Sequence, residues 1–172
     1  AVIPVGSVPK YVAVTPDGKY LVVTNWCTFD ASIVDLATNR EVKRIPLGPY
    51  PRGVAISPDS ATAYVAVMGS TNIARIDLGS FTTSWMYNIG AGPRHLVLSP
   101  DGATLYATLN GEGRVASIDP ASGTVRSKSQ TGEAPRSLDI SAHGKRLSVV
   151  NYESCTMSKV ATATMAKVQD VA

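Results

Sequence analysis

One interval governs this sequence: the same landmarks return every 42 residues. Gly6, Gly48, Gly90 and Gly132 keep it, as do Pro9, Pro51, Pro93 and Pro135. Directly after those prolines stand Lys10, Arg52, Arg94 and Arg136. The next landmark reads Thr15-Pro16-Asp17-Gly18, then Ser57-Pro58-Asp59-Ser60, then Ser99-Pro100-Asp101-Gly102, and decays to Ser141-Ala142-His143-Gly144 in the fourth copy. Asp35, Asp77 and Asp119 hold the same spacing, with Ala161 in their place in the last copy. A shared phase across so many anchors means one supersecondary unit stamped out four times.

Each unit predicts four short strands. The Gly-x-x-Pro-[Lys/Arg] element opens the first, such as Tyr11 to Val14. The Pro-Asp-Gly triplet makes a tight turn, because Pro presets φ, Asp accepts local N–H bonds and Gly takes positive φ. A second strand follows over Tyr20 to Asn25 or Leu105 to Leu109. After a loop of about six residues, a third strand ends at Asp35, Asp77 or Asp119, and a fourth runs from Val42 to Leu47 and its equivalents. Four strands in each repeat with Gly/Pro punctuation is the pattern of a β-propeller blade. The expected fold is all-β, with blades over residues 6–47, 48–89, 90–131 and 132–172. Ala, Met and Lys in the tail favour helix, but register puts strands at Met157 to Val160 and Ala166 to Val171.

The stretches Gly48 to Asp59 (GPYPRGVAISPD), Tyr64-Val65-Ala66 and Arg75-Ile76-Asp77-Leu78 resemble the YVTN-type β-propeller repeats of surface-layer and secreted proteins. The resemblance covers essentially the whole chain. It implies a seven-bladed ring and a location outside the cytoplasm of a bacterium or archaeon: periplasmic, cell-surface or secreted. It implies no particular activity.

Residues 1–5 (AVIPV) match the fourth strand of a blade, as Arg44 to Leu47 does before Gly48. They read as the outer strand of a preceding blade, and the fourth repeat already has its own outer strand. The expectation is therefore a window on a larger ring. The rivals are two half-rings closing as a dimer and a small closed ring of four blades. An open arc would leave apolar blade faces uncovered at both ends.

Antiparallel geometry puts the loop after each second strand on the same face as the basic residues. That face gathers Lys10, Arg52, Arg94 and Arg136 with Trp26, Met68, Asn110 and Tyr152, which share one phase. A ring of cations at a channel mouth suits an anionic ligand: a carboxylate, a phosphate or an acidic polymer. The competing account makes each cation a bridge to a neighbouring blade's Asp or to carbonyls. Trp26 and Tyr152 vary between blades, which suits a specific contact better than a repeated architectural one. Of these residues, Lys10, Arg52, Arg94, Arg136, Trp26, Asn110 and Tyr152 form the candidate ligand site. A protein partner is the other expectation for this face.

Other chemistry is thin. Lys plus Arg total 16 against 13 Asp plus Glu, too even a balance to argue for nucleic acid alone. No apolar run approaches the ~20 residues of a membrane span. Cys27 and Cys155 have no zinc-motif spacing. They fall in blades one and four, so free thiols are expected, a bridge between two arcs being the alternative. His95 stands where other blades have Tyr11, Gly53 and Ser137, and no second ligand accompanies it for a haem or metal. No catalytic residue, metal or cofactor is assigned. A noncatalytic binding module is the leading reading. The alternatives are a lactonase-like propeller enzyme with its catalytic residues in other blades, and a nucleic-acid binder. The innermost strands carry one acid, Asp139, which weighs against the enzyme for these four blades.

Overall fold

A computed structural model describes residues 2–172, and those residues fold as sixteen strands without a helix. The first blade holds β1 (Pro9–Val14), β2 (Tyr20–Asn25), β3 (Asp30–Asp35) and β4 (Arg40–Pro46). The second holds β5 (Pro51–Ile56), β6 (Thr62–Val67), β7 (Ile73–Asp77) and β8 (Thr83–Met86). The third holds β9 (Pro93–Leu98), β10 (Leu105–Leu109), β11 (Arg114–Ile118) and β12 (Val125–Gln130). The fourth holds β13 (Pro135–Ile140), β14 (Arg146–Asn151), β15 (Thr156–Ala161) and β16 (Ala166–Val171). Every blade is an antiparallel meander with its strands in sequence order. In the tail, register prevails over helix propensity, because β15 and β16 complete a ladder that an isolated helix could not replace.

The repeat works through its turns. Residues 18, 60, 102 and 144 all have positive φ, as do 39, 81, 123 and 165. In the first turn of blade one, Thr15 Oγ1 donates to Asp17 Oδ1, Lys19 N donates to the same oxygen at 3.0 Å, and Tyr20 N donates to Thr15 Oγ1 at 2.9 Å. Ser57/Asp59 and Ser99/Asp101 repeat the arrangement. The hydroxyl bond, then the backbone N–H bond, holds each of these carboxyls below the ordinary aspartate range. Asp35, Asp77 and Asp119 cap the β3–β4-type turns, for example with Thr38 N on Asp35 Oδ1 at 2.8 Å and Ser80 N on Asp77 Oδ1 at 2.7 Å. The loops between second and third strands are shorter than expected, Trp26 to Phe29 in blade one. They close as tight turns whose last residue is left-handed at Phe29, Gly113 and Cys155.

The fourth copy lacks the turn carboxylate: Ser141 Oγ still accepts from Lys145 N and Arg146 N, but His143 stands where Asp would lie. His143→Asp is expected to raise the thermal midpoint at pH 7, measured by calorimetry. Because the new carboxyl would be held below its free value, the gain is present above the ordinary aspartate range and fades as pH falls through the folded value. An unchanged midpoint at pH 7 would show that the carboxylate adds nothing to this turn.

The core is three layers between blades rather than one centre. Val22, Ile33, Ile45, Val54, Val65 and Ile76 fill the first. Ile73, Ile89, Leu96, Leu105, Leu109 and Ile118 fill the second, and Leu138, Leu147, Val149 and Val160 anchor the third. The innermost strands β1, β5, β9 and β13 pack in that order around an axis. On β1, Val12 and Val14 are 57% and 54% exposed, and on β14 Val150 is 48% exposed, so apolar side chains remain open on both terminal blades.

The outer strand expected over residues 1–5 is that of a preceding blade, whose other strands are not among the described residues. Ala1 lies outside the described residues, and residues 2–5 have no ladder partner, without which extended chain is not a strand. Gly6 is lodged instead against Asn25 and Thr28 of blade one, where a Cβ would collide with both side chains.

Candidate functional site

The site is built from four copies of one local device. Each innermost strand begins at Pro, which fixes φ and gives up a donor. The residue before it is left-handed: Val8 (φ 55°), Tyr50 (61°), Gly92 (65°) and Ala134 (48°). Its carbonyl accepts from the loop after the second strand, at Trp26 N (3.0 Å), Met68 N (3.0 Å), Asn110 N (2.9 Å) and Tyr152 N (3.1 Å). The phase-sharing loop residues are thereby tied to the rim where the basic side chains emerge.

Those side chains converge. A cavity of about 240 Å³ is lined by the basic ring, Lys10, Arg52, Arg94 and Arg136, and by the next residue of each blade: Tyr11, Gly53, His95 and Ser137. No ring cation forms an ion pair among the described residues, whose four salt bridges are Arg44–Glu41, Arg126–Asp119, Lys128–Glu112 and Lys167–Asp170. The bridges to neighbouring aspartates that would make the ring purely architectural are not made. Arg94 is 7% exposed, and Arg136 Nε is buried without a hydrogen-bond partner. Burial first, then the charges of Arg52 and Arg136, lowers the Arg94 guanidinium to about 10. Arg52 is lowered the same way, by burial and then by Arg136.

The aromatics divide between the two ends of the arc. The Trp26 ring has Lys10 Nζ at 5.8 Å and Arg52 Cζ at 5.3 Å, while Arg136 Cζ lies 3.2 Å from the Tyr152 ring centroid. Tyr50 packs on Trp26 at 4.6 Å and edge-on to Phe29 at 5.6 Å. Asn110 is placed differently: its Nδ2 donates to Pro135 O at 3.3 Å, so it links blades three and four. Glu112 accepts from Ala91 N at 2.7 Å and pairs with Lys128 at 2.9 Å, which gives it a structural task.

Tyr11, Tyr50 and His95 were not among the candidates. His95 Nε2 lies 2.9 Å from the Tyr11 hydroxyl of blade one, and Leu138 N of blade four donates to its Nδ1 at 3.4 Å. One imidazole thus joins three innermost strands. Burial lowers the His95 pKa, the Asp139 charge opposes it, and Arg94 and then Arg52 add lesser downward pulls. Burial, then Asp139, raises that of Tyr11. The pair separates the basic cavity from a larger one of about 660 Å³ toward the opposite end of the strands, lined by Pro16, Pro58, Pro100 and Asp139. The signal for Tyr11 and His95 was the phase at which the blades differ most: Tyr11, Gly53, His95, Ser137.

Among the described residues no group of three or more His, Cys, Asp or Glu is placed to hold a metal ion, and Cys27 and Cys155 are free and exposed. Among the described residues no helix is long and apolar enough to cross a membrane.

Comparison with known proteins agrees with the blade architecture. A family model described as a YNCE-like beta-propeller matches residues 2–165. Kuenenia stuttgartiensis hydrazine synthase is similar in structure at a TM-score of 0.88 and 24% identity, over 98% of this chain and 50% of that one. A functionally unknown protein from Desulfotomaculum acetoxidans DSM 771 is similar at 0.82 and 16% identity, over 94% of this chain and 55% of that one. The chain thus spans about half the length of these two solved structures. No curated protein matches it in sequence.

Proposed function

The chain belongs to the YNCE-like β-propeller family, and from that premise we propose that it is a noncatalytic binding or interaction module whose anionic ligand seats at the channel mouth. The observation that carries this reading is the basic ring itself: four converging cations, Arg94 buried and Arg136 with a buried, unpartnered Nε, and no carboxylate paired with any of them. Buried charge is ordinarily paired. A ligand anion supplies the pair.

The repeat text supports an exported or cell-surface protein of the YVTN surface-layer type, with the blades set in a seven-membered ring. The lactonase-like enzyme has no observation in its favour here, since Asp139 is the one acid on the innermost strands. Nucleic acid is the second reading, favoured by one feature: Trp26 and Tyr50 stack on each other beside Lys10 and Arg52, as a base-stacking platform with backbone cations would.

The test is the double replacement Arg52→Gln with Arg94→Gln. Its circular dichroism should match the unaltered protein, and the rise in thermal midpoint produced by sodium sulfate at fixed ionic strength should largely vanish. Loss of the folded state on replacement would instead assign both residues to architecture.

A further inference from the structure

We propose that the basic ring takes a compact small anion carrying two or more negative charges, seated over the Tyr11–His95 pair and gripped chiefly by Arg94 and Arg136. The inference rests on the mouth reading above and narrows it.

Three features argue for this class. The lining offers donors almost exclusively: a lysine, three guanidinium groups, the Ser137 hydroxyl and Tyr11. An acceptor-only ligand such as a carboxylate, phosphate or sulfate matches all of them, and an amide or amine would not. The second feature is charge. Arg94 is buried and the half-buried Arg136 has an enclosed Nε with no hydrogen-bond partner, with Arg52 and Lys10 beside them and Asp139 the sole acid on either cavity wall. A single negative charge would leave most of that repulsion standing; two or three answer it. The third is size. At about 240 Å³ the space is smaller than the ~300–1,000 Å³ of drug-sized sites, room for a diphosphate or a tricarboxylate.

The floor adds a neutral donor. Leu138 N–H donates to His95 Nδ1, which leaves the proton of the neutral imidazole on Nε2. That N–H donates to the Tyr11 oxygen, so the Tyr11 hydrogen is free to turn to a ligand oxygen. Tyr11 lines both cavities and holds His95 edge-on at 5.1 Å between ring centroids, a contact that phenylalanine would keep.

The experiment is calorimetric titration of the folded chain at pH 7.5 and constant ionic strength with sulfate, pyrophosphate, citrate, acetate and a long-chain polyphosphate. The multivalent small anions should bind at least about tenfold more tightly than acetate, and Arg136→Gln and Tyr11→Phe should each weaken them about tenfold. Arg126→Gln, whose side chain pairs with Asp119 away from the cavity, should leave binding unchanged. Citrate and pyrophosphate arms separate carboxylate from phosphate as the preferred source of charge; either supports the proposal. Acetate binding as tightly as citrate would overturn the charge requirement and leave the mouth reading intact. Binding by the polymer alone would overturn the compact ligand. No binding by any anion would bring down the mouth reading itself.

Discussion

Arg94→Met should melt at a higher temperature than the unaltered protein when no anion is present, and should respond least to an anion when one is added. The two halves of that result have one cause. Arg94 sits 7% exposed beside Arg52 and Arg136 with no carboxylate to compensate it. Methionine matches the length of its stem and carries no charge to desolvate. Replacing buried charge by well-packed apolar side chains is neutral or stabilising by roughly 1–4 kcal/mol, so a rise in midpoint of about 2–16 °C is expected. The same change removes a charge-assisted contact worth about 1.5–3 kcal/mol, a loss of roughly ten- to a hundredfold in anion affinity. The pH dependence has a definite sign. Since the folded value of Arg94 is lowered to about 10, its cost is present throughout the neutral range. That cost is relieved as pH rises through 10, where the folded protein sheds the proton before the unfolded chain does. The gap between the two proteins should therefore narrow at high pH. A lower midpoint for Arg94→Met would show that the guanidinium is a structural bridge.

What could be read from the sequence was whatever the backbone repeats. Asp17, Asp59 and Asp101 hold one kind of turn, Asp35, Asp77 and Asp119 another, and the prolines at 9, 51, 93 and 135 start every innermost strand. Each such residue answers a local demand on φ or on an orphan N–H, so its spacing reports the blade directly. The phase also placed Lys10, Arg52, Arg94 and Arg136 on one ring. It did not show which side chains meet across the axis, because that depends on how sharply the innermost strands curve, a quantity absent from the period. Tyr11 and His95 are 84 residues apart yet bonded. Asn110 shares a phase with Trp26 and Tyr152, but its amide is committed to Pro135 O. Tyr50 shares no residue type with Val8, Gly92 and Ala134 at its phase of the repeat, and only its left-handed backbone and its ring against Trp26 mark it in the structure. Residues 2–5 carry the pattern of an outer strand, and pattern alone supplies no ladder partner.

Gly53→Val should be the most damaging single change in the chain. Gly53 is buried on β5, and a Cβ there would stand 2.7 Å from Arg94 O, 2.7 Å from His95 Cα and 3.0 Å from Leu96 N. All three are backbone atoms of β9, which cannot rotate aside as a side chain would. Either β5 and β9 part or the substituted strand leaves its ladder, and both open the layer that Leu96 helps fill between blades two and three. Overpacking of this kind costs about 1–3 kcal/mol and more where nothing can yield. Gly53→Ala is expected at about 2 kcal/mol and valine beyond it, a fall in midpoint of roughly 4–8 °C and more. Gly18 provides the contrast: nothing lies within 4 Å of its Cβ position, so Gly18→Ala meets only the strain of φ +70°, about 1 kcal/mol. The Gly53 change should also blunt the response to sulfate in any folded fraction, because parting β5 from β9 moves Arg52 away from Arg94. At this phase a side chain in blade two would wedge apart the strands that a bare backbone lets close, and the reach of His95 to Tyr11 across the axis depends on that closure. A Gly53→Ala protein that melts within a degree of the parent and binds anions equally well would disprove the close approach on which both the cavity and its charge density rest.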